Sequence, residues 1–65
     1  MKISINGVAT EVAATSLDAI LQEAGYGDLR VATAVNRNFV PVGQRSTYQI
    51  EAGDAVEIVA PRQGG

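Results

Sequence analysis

The chain ends in Gly64-Gly65, and a terminal carboxylate with no side chain beside it is a group on which acyl chemistry can be done. A narrow cleft admits the backbone of two glycines, because neither carries a Cβ atom. A free carboxylate is a poor electrophile, so the reaction needs activation, most simply as an acyl-adenylate that another protein makes with ATP and magnesium. A sulfur or nitrogen nucleophile would then displace the adenylate from Gly65.

Residues 61–65 are predicted to form a flexible tail that carries this carboxylate away from a single domain of residues 1–60. Pro61 cannot continue a strand ladder, because it has no amide proton. Fully extended, five residues reach at most about 17 Å beyond Ala60, which is far enough to enter the active site of another protein. The tail residues expected to enter such a site are Arg62, Gln63 and Gly64, ahead of the covalent attachment point Gly65.

Two residue types that are common in catalytic and metal-binding sites are missing from the sequence. It contains no cysteine and no histidine, which excludes disulfides, thiolate nucleophiles, imidazole acid–base chemistry and the usual zinc sites. The seven carboxylates lack the spacing of a calcium-binding loop and are typical of a solvated surface. We therefore expect a substrate or carrier, with no catalytic residue, metal or bound cofactor of its own; ATP and magnesium would be used by the activating partner.

The charge balance also limits the partners. Five basic and seven acidic residues give a net charge of −2, which argues against binding to nucleic acid. Arg37, Arg45 and Arg62, with Phe39 and Tyr48 as stacking residues, would make only a weak single-strand-binding patch. No apolar run approaches the roughly 20 residues that span a membrane, and no secretory signal pattern is visible. We expect a cytoplasmic protein that does not bind membranes.

The first dozen residues predict a β-hairpin. Residues 2–6 and 8–12 alternate polar and apolar side chains with period 2, as strands with one buried face do. Asn6-Gly7 between them favours a type I′ turn, because both residue types tolerate positive φ. The side chains expected to point into the core are Ile3, Ile5, Val8 and Val12.

A short amphipathic helix is predicted next. Thr15-Ser16-Leu17-Asp18 has the form of a capping box, and Gly25 favours a left-handed helix end. The predicted apolar stripe, at helical spacing, is Leu17, Ile20, Leu21 and Ala24. The following residues, 25–30, begin like a glycine-rich phosphate loop, but they follow a helix instead of preceding one, so a plain turn is predicted.

The second half of the chain predicts strands. Residues 31–35 are apolar at nearly every position, which favours an interior strand with both faces at least partly covered. Phe39-Val40 before Pro41 predicts a short edge strand. Residues 46–50 predict a further short extended piece, and residues 55–60 predict the last strand. Because the helix is segregated from the strand runs, the order predicts an α+β fold with one helix packed on one face of a mixed sheet.

The order of these features along the whole chain resembles the ThiS family, the ubiquitin-like sulfur carriers of thiamine thiazole synthesis. The resemblance rests on Asn6-Gly7, the capped helix, Val31-Ala32 through Val35-Asn36, Phe39-Val40-Pro41, Gly53-Asp54 and Gly64-Gly65. Arg62-Gln63 departs from the pattern, because many members have a third glycine there. The resemblance implies a ubiquitin-like β-grasp fold of four to five strands, in which the first and last strands are parallel neighbours and the last strand ends beside Asn6-Gly7.

The resemblance also implies partners. A ThiF-like adenylyltransferase would adenylate Gly65, a sulfur donor such as a cysteine desulfurase would lead to a thiocarboxylate, and a ThiG-like thiazole synthase would accept the sulfur. Apolar side chains near the tail and on the uncovered sheet face would dock these partners. The residues expected in this docking surface are Val59, Phe39 and Tyr48.

Two other functions stay open on the sequence alone. A MoaD-like small subunit of molybdopterin synthase shares the fold and the terminus, although that family is usually longer. A β-grasp module that binds partners noncovalently, or a modifier conjugated to other proteins, would also fit the pattern. Lys2 is the only lysine, so polymers linked through this protein's own side chains are not expected.

Overall fold

The computed structural model describes residues 1–60, in which five strands form one mixed sheet and one α-helix packs on it. The strands are β1 (Lys2–Ile5), β2 (Val8–Glu11), β3 (Ala32–Val35), β4 (Asn38–Val40) and β5 (Ala55–Val59). The helix is α1 (Leu17–Glu23), and a 3₁₀ helix spans Val42–Gln44. The predicted tail with Arg62, Gln63, Gly64 and Gly65 lies outside the described residues.

The strand order across the sheet is β2-β1-β5-β3-β4. β5 lies at the centre, parallel to β1 with Ile5 opposite Val56, and antiparallel to β3 with Ala32 opposite Val59. The two hairpins β1-β2 and β3-β4 therefore meet only through β5 within the described part of the chain. This arrangement confirms the predicted α+β architecture and the parallel pairing of the first and last strands. No helix in residues 1–60 is long and apolar enough to cross a membrane.

Both hairpins turn through residues with left-handed backbone conformations. Asn6 and Gly7 have φ values of 50° and 83°, which confirms the predicted type I′ geometry of the first turn. Asn36 and Arg37, with φ values of 50° and 70°, make the corresponding turn between β3 and β4. An asparagine at the first position of each turn tolerates this conformation and leaves its side-chain amide available to the neighbouring strand.

The core lies between the helix and the inner face of the sheet. Its buried residues are Ile3, Ile5, Val12, Leu17, Ile20, Leu21, Val31, Val35, Val40, Ile50, Val56 and Ile58. The prediction that Val8 points into this core is wrong, because Val8 is exposed. It lies opposite the buried Ile5, but at the turn end of the edge strand β2, where no further strand continues the sheet.

The start of α1 is capped one residue later than predicted. Ser16 is the N-cap, and its hydroxyl oxygen accepts a hydrogen bond from the Ala19 N–H over 3.2 Å. The predicted capping box of Thr15 and Asp18 is therefore wrong, since Ala19 occupies the third helical position and has no carboxylate to return to the cap. Asp18 still lies in the first turn, where a negative charge suits the helix dipole.

The helix ends before the last residue of its predicted stripe. Gly25 has a φ of 92°, and its N–H donates to the carbonyl of Gln22 while the Tyr26 N–H donates to that of Leu21. This pattern is a Schellman motif, as the glycine predicted. Ala24 is the C-cap and is exposed, so its predicted place in the apolar stripe is wrong. The residues after Gly25 form turns and irregular backbone, in agreement with the predicted plain turn.

The carboxylate of Glu23 fastens the connection between β2 and α1. Its two oxygens accept hydrogen bonds from the backbone N–H groups of Ala13 and Ala14 at 3.0 to 3.1 Å. These hydrogen bonds, first that of Ala14 and then that of Ala13, lower the pKa of the Glu23 carboxyl below its ordinary value.

Two predictions about the second half need correction. Residues 46–50 do not form a strand; they form a turn and one isolated bridge between Gln49 and Ser16. β3 is interior in the sheet order, as predicted, but the predicted partial cover of its second face holds only for the half-buried Ala34, because Ala32 on that face is exposed. β4 lies at the sheet edge and ends before Pro41, as predicted.

Candidate functional site

The sheet face turned away from α1 carries an exposed apolar surface beside the C-terminal end of β5. Phe39 on β4 is 69% exposed and Val59 on β5 is 64% exposed. Between them lie the small side chains of β3, and together these residues line a shallow depression of about 250 Å³. We call this surface the outer patch; its residues are Ala32, Ala34, Phe39, Glu57 and Val59.

The register of three strands produces the outer patch. Ala34 lies opposite Phe39 on one side and opposite Glu57 on the other, while Ala32 lies opposite Val59. Side chains of one strand alternate between the two faces, so the exposed residues of β5 alternate with the buried Val56 and Ile58. The depression forms because the alanine methyl groups of β3 are shorter than the side chains on both neighbouring strands.

The structure brings together two of the three residues predicted to dock partners. Phe39 and Val59 both belong to the outer patch, but Tyr48 does not. Tyr48 is half-buried against the core, and its backbone carbonyl accepts a hydrogen bond from the Leu17 N–H over 2.9 Å. Because residues 46–50 form a turn and not a sheet strand, Tyr48 lines a separate polar depression with Thr47, Gln49, Glu51, Asn36 and Asp54.

Three residues of the outer patch were not predicted from the sequence to belong to the docking surface: Ala32, Ala34 and Glu57. Alternation within residues 31–35 and 55–60 places each of them on the face opposite the buried residues. The pairing of β3 with β5, which puts Ala34 beside Glu57, joins segments more than twenty positions apart. The period-2 pattern therefore predicts the outward direction of these side chains but not that they are neighbours.

Arg45 does not contribute to the weak basic patch considered above. Arg45 is only 8% exposed, and its guanidinium donates from Nη2 to the Val31 carbonyl over 2.6 Å and from Nε to the Thr33 hydroxyl over 3.1 Å. Arg37 lies in the turn after β3, and Arg62 lies outside the described residues. Arg45 therefore serves the fold and is not presented to a ligand.

The C-terminal end of β5 is fixed on both sides. On one side Val59 pairs with Ala32 of β3. On the other side the Ile58 N–H donates to Oδ1 of Asn6 over 2.8 Å, and Nδ2 of Asn6 donates to the Ile58 carbonyl over 3.1 Å. The strand thus ends beside the Asn6-Gly7 turn, as expected, and the chain leaves the sheet next to the outer patch.

These features place an exposed apolar surface beside a strand end that is held on both sides. Within residues 1–60, no three acidic side chains come together as metal ligands would. Every buried side-chain nitrogen and oxygen in the same residues has a hydrogen-bond partner.

Comparison with protein families gives a match over nearly the whole sequence. The ThiS family model matches residues 3–65. The chain belongs to the ThiS family. No curated protein sequence matches this family member.

Solved structures agree with the fold of this ThiS family member. A crystal structure of the thiamine biosynthesis protein ThiS from Geobacter metallireducens has a TM-score of 0.84 at 20% identity and covers 100% of both chains. An NMR solution structure of a thiamine biosynthesis protein from the same organism has a TM-score of 0.80 at 20% identity, covering 100% of this chain and 88% of that one. At this identity the two structures establish the fold, and they confirm the ubiquitin-like β-grasp architecture.

Proposed function

We propose that this ThiS family member is a sulfur carrier protein of thiamine biosynthesis, whose Gly65 is adenylated and converted to a thiocarboxylate that donates sulfur for thiazole formation. The observation that carries the proposal is the family match over residues 3–65, which includes the terminal Gly64-Gly65. It favours the thiazole pathway over a MoaD-like role in molybdopterin synthesis. The position of the outer patch next to the end of β5 supports the same function.

The chemistry at Gly65 divides between the carrier and its partners. A carboxylate oxygen attacks the α-phosphorus of ATP, so that an acyl-adenylate forms and pyrophosphate leaves. Sulfur at the oxidation level of sulfide then attacks the acyl carbon and expels AMP, which leaves a thiocarboxylate. Because the chain has no cysteine or histidine, a ThiF-like adenylyltransferase supplies the activating groups together with ATP and magnesium. A donor such as a cysteine desulfurase supplies the sulfur as a persulfide, which a thiol reduces by two electrons to sulfide while the thiols are oxidised to a disulfide.

The outer patch is the surface that we expect to dock both the ThiF-like adenylyltransferase and the ThiG-like thiazole synthase. Phe39 and Val59 present exposed apolar area, and Glu57 adds one negative charge beside it. A complementary partner surface is therefore apolar with a basic group opposite Glu57. Six residues separate Val59 from Gly65, which is at most roughly 20 Å of chain, so one partner can hold the outer patch and the terminus at once.

Intact-mass measurement tests the proposed function. The protein is incubated with a ThiF-like enzyme, ATP, magnesium and sulfide, and we expect a mass gain equal to the exchange of one oxygen for sulfur. A chain that lacks Gly65 but keeps Gly64 is the matched control and should gain nothing in this assay. An unchanged mass of the full chain, together with tight binding to the enzyme, would contradict the carrier function and favour a noncovalent module.

A further inference from the structure

The parallel pairing of β1 with β5 ends well before β5 does. The last backbone pair is Ile5 opposite Val56, after which β1 enters the Asn6-Gly7 turn. The backbone N–H of Asn6 still donates to the Val56 carbonyl over 2.9 Å. Beyond this point no backbone of the described residues lies beside β5 on the β1 side, although β5 continues to Val59.

The side chain of Asn6 takes the place of the missing strand. Its amide oxygen accepts from the Ile58 N–H, and its amide nitrogen donates to the Ile58 carbonyl, at 2.8 and 3.1 Å. A carboxamide has the same donor and acceptor as a peptide group, so Ile58 receives from one side chain the two hydrogen bonds that two residues of a longer parallel strand would give. The left-handed backbone of Asn6, with a φ of 50°, accompanies this arrangement of the side chain.

We propose that Asn6 is a positioning residue for the carrier reaction: its amide fixes the end of β5, and thereby both the place of Val59 in the outer patch and the point at which residues 61–65 begin. This inference rests on the proposed function, because it concerns how the terminus is offered to the activating enzyme. Asn6 itself would not contact the reacting atoms.

The end of β5 can be closed, with its residues bound to their neighbours, or open, and Asn6 favours the closed form. Strand ends open locally at little cost in free energy, and without Asn6 the end of β5 is held only by β3. Opening moves Val59 away from Phe39 and so disrupts the outer patch. It also leaves a longer unpaired segment between the sheet and Gly65. The enzyme binds the closed form, so its apparent affinity falls in proportion to the closed fraction. Once the complex has formed, the strand is closed again, and the chemical step is unchanged.

The chain contains a matched control in Asn36. This residue has the same φ of 50° at the first position of the other hairpin turn. Its Oδ1 accepts from the Ala55 N–H over 2.9 Å, and its Nδ2 donates to Oδ1 of Asp54 over 3.1 Å. Asn36 therefore holds the N-terminal end of the same strand, away from the outer patch and the terminus.

The test compares Asn6→Gly with Asn36→Gly, since glycine accepts the left-handed backbone and both variants lose the same side chain at the same φ. We measure amide hydrogen exchange at Ile58 and Val59, and kcat and KM for pyrophosphate release by a ThiF-like enzyme with ATP and magnesium. For Asn6→Gly we expect exchange at Ile58, whose N–H loses its Asn6 acceptor, to rise by more than about tenfold. Exchange at Val59, which stays paired with β3, should rise about fivefold. We expect KM to rise about two- to fivefold, with kcat unchanged. For Asn36→Gly we expect wild-type exchange at Val59 and a wild-type KM.

Equal KM values for the two glycine variants would overturn the inference, as would unchanged exchange at Val59 in Asn6→Gly. Should Asn6→Gly not fold by circular dichroism, Asn6→Asp is used instead. It keeps the acceptor for the Ile58 N–H but loses the donor to the carbonyl, and it is expected to raise KM by a smaller factor; a wild-type KM would again overturn the inference. A wild-type chain that is never adenylated contradicts the proposed function separately, because the exchange measurement needs no enzyme.

Discussion

The guanidinium of Arg45 donates a hydrogen bond from Nε to the hydroxyl oxygen of Thr33 over 3.1 Å, and both side chains are buried. The Thr33 hydroxyl in turn donates to the Val40 carbonyl over 2.9 Å. A second bond runs from Arg45 Nη2 to the carbonyl of Val31. One cation thus ties the segment after the 3₁₀ helix to β3 and β4 through neutral oxygens.

Replacing Arg45 with lysine should lower the free energy of unfolding by about 1–3 kcal/mol. A single ammonium cannot match the planar guanidinium that reaches both Thr33 and Val31, so one buried acceptor loses its partner. Urea denaturation measures the change. Arg30→Lys, at an exposed position, is the control and should change stability by less than about 0.5 kcal/mol. Equal stabilities of the two variants would contradict the structural role of Arg45.

The lowered pKa of the Glu23 carboxyl predicts that part of the folding stability depends on pH. Its pKa is lowered in the folded protein from an ordinary value of 4.5 by the hydrogen bonds from Ala14 and Ala13. The stabilisation is therefore complete above the unfolded-state pKa and is lost as the pH falls through the lower folded-state pKa. Glu23→Gln should reduce the loss of stability between neutral and acidic pH, as measured by thermal unfolding across that range.

Glu57→Gln is the control for this pH effect, because the Glu57 carboxylate is exposed and forms no hydrogen bond or ion pair with other residues of the range 1–60. It should leave the acid dependence close to that of the wild type. A Glu23→Gln protein that loses stability with acid as steeply as the Glu57→Gln protein would refute the assignment.

The same substitution at two surface positions tests whether the activating enzyme binds the outer patch. Val59→Ser should raise the KM of the ThiF-like enzyme with little change in kcat, because it removes apolar area that the enzyme covers before the reaction. Val42→Ser is the matched control, since Val42 is 70% exposed and lies in the 3₁₀ helix, outside the outer patch. A KM that responds equally to both substitutions would show that the enzyme does not distinguish the outer patch.

Adenylation is predicted to require a terminal residue without a side chain. Gly65→Val should leave the thermal unfolding midpoint unchanged but abolish adenylation, because a β-branched side chain crowds the carboxylate that must attack ATP. Pyrophosphate release measures the reaction, and Gly43→Val, in the 3₁₀ helix with open space around its Cα, controls for a valine elsewhere on the surface. Normal adenylation of the Gly65→Val protein would rule out the steric explanation.

Local features of the fold followed from the sequence. Asn6-Gly7 predicts the first turn and Gly25 predicts the helix end, because each depends on the backbone preferences of one or two residues. The wrong predictions concern features that depend on contacts between segments far apart in the sequence. Val8 alternates correctly but lies on an edge strand. Residues 46–50 form a turn and an isolated bridge directly after Arg45, whose guanidinium binds the distant Val31 carbonyl.

The candidate site was predictable to a similar extent. Phe39 and Val59 could be recognised as outward-facing apolar residues, and the structure places them on one surface. Tyr48 is equally aromatic, yet its place depends on a loop that no periodic pattern describes. The two hydrogen bonds between Asn6 and Ile58 join residues 52 positions apart. The turn motif at Asn6 therefore predicts its backbone conformation but not the hydrogen bonds of its side chain to β5.

The central position of β5 has a consequence for synthesis of the protein on the ribosome. Both hairpins precede β5 in the chain, yet neither pairs with the other directly in the described residues. Each can form as it emerges, but the sheet cannot close until residue 59 has left the exit tunnel, because loop closure over such a distance awaits the missing partner. A nascent or truncated chain without β5 therefore lacks Glu57 and Val59 and has no assembled outer patch.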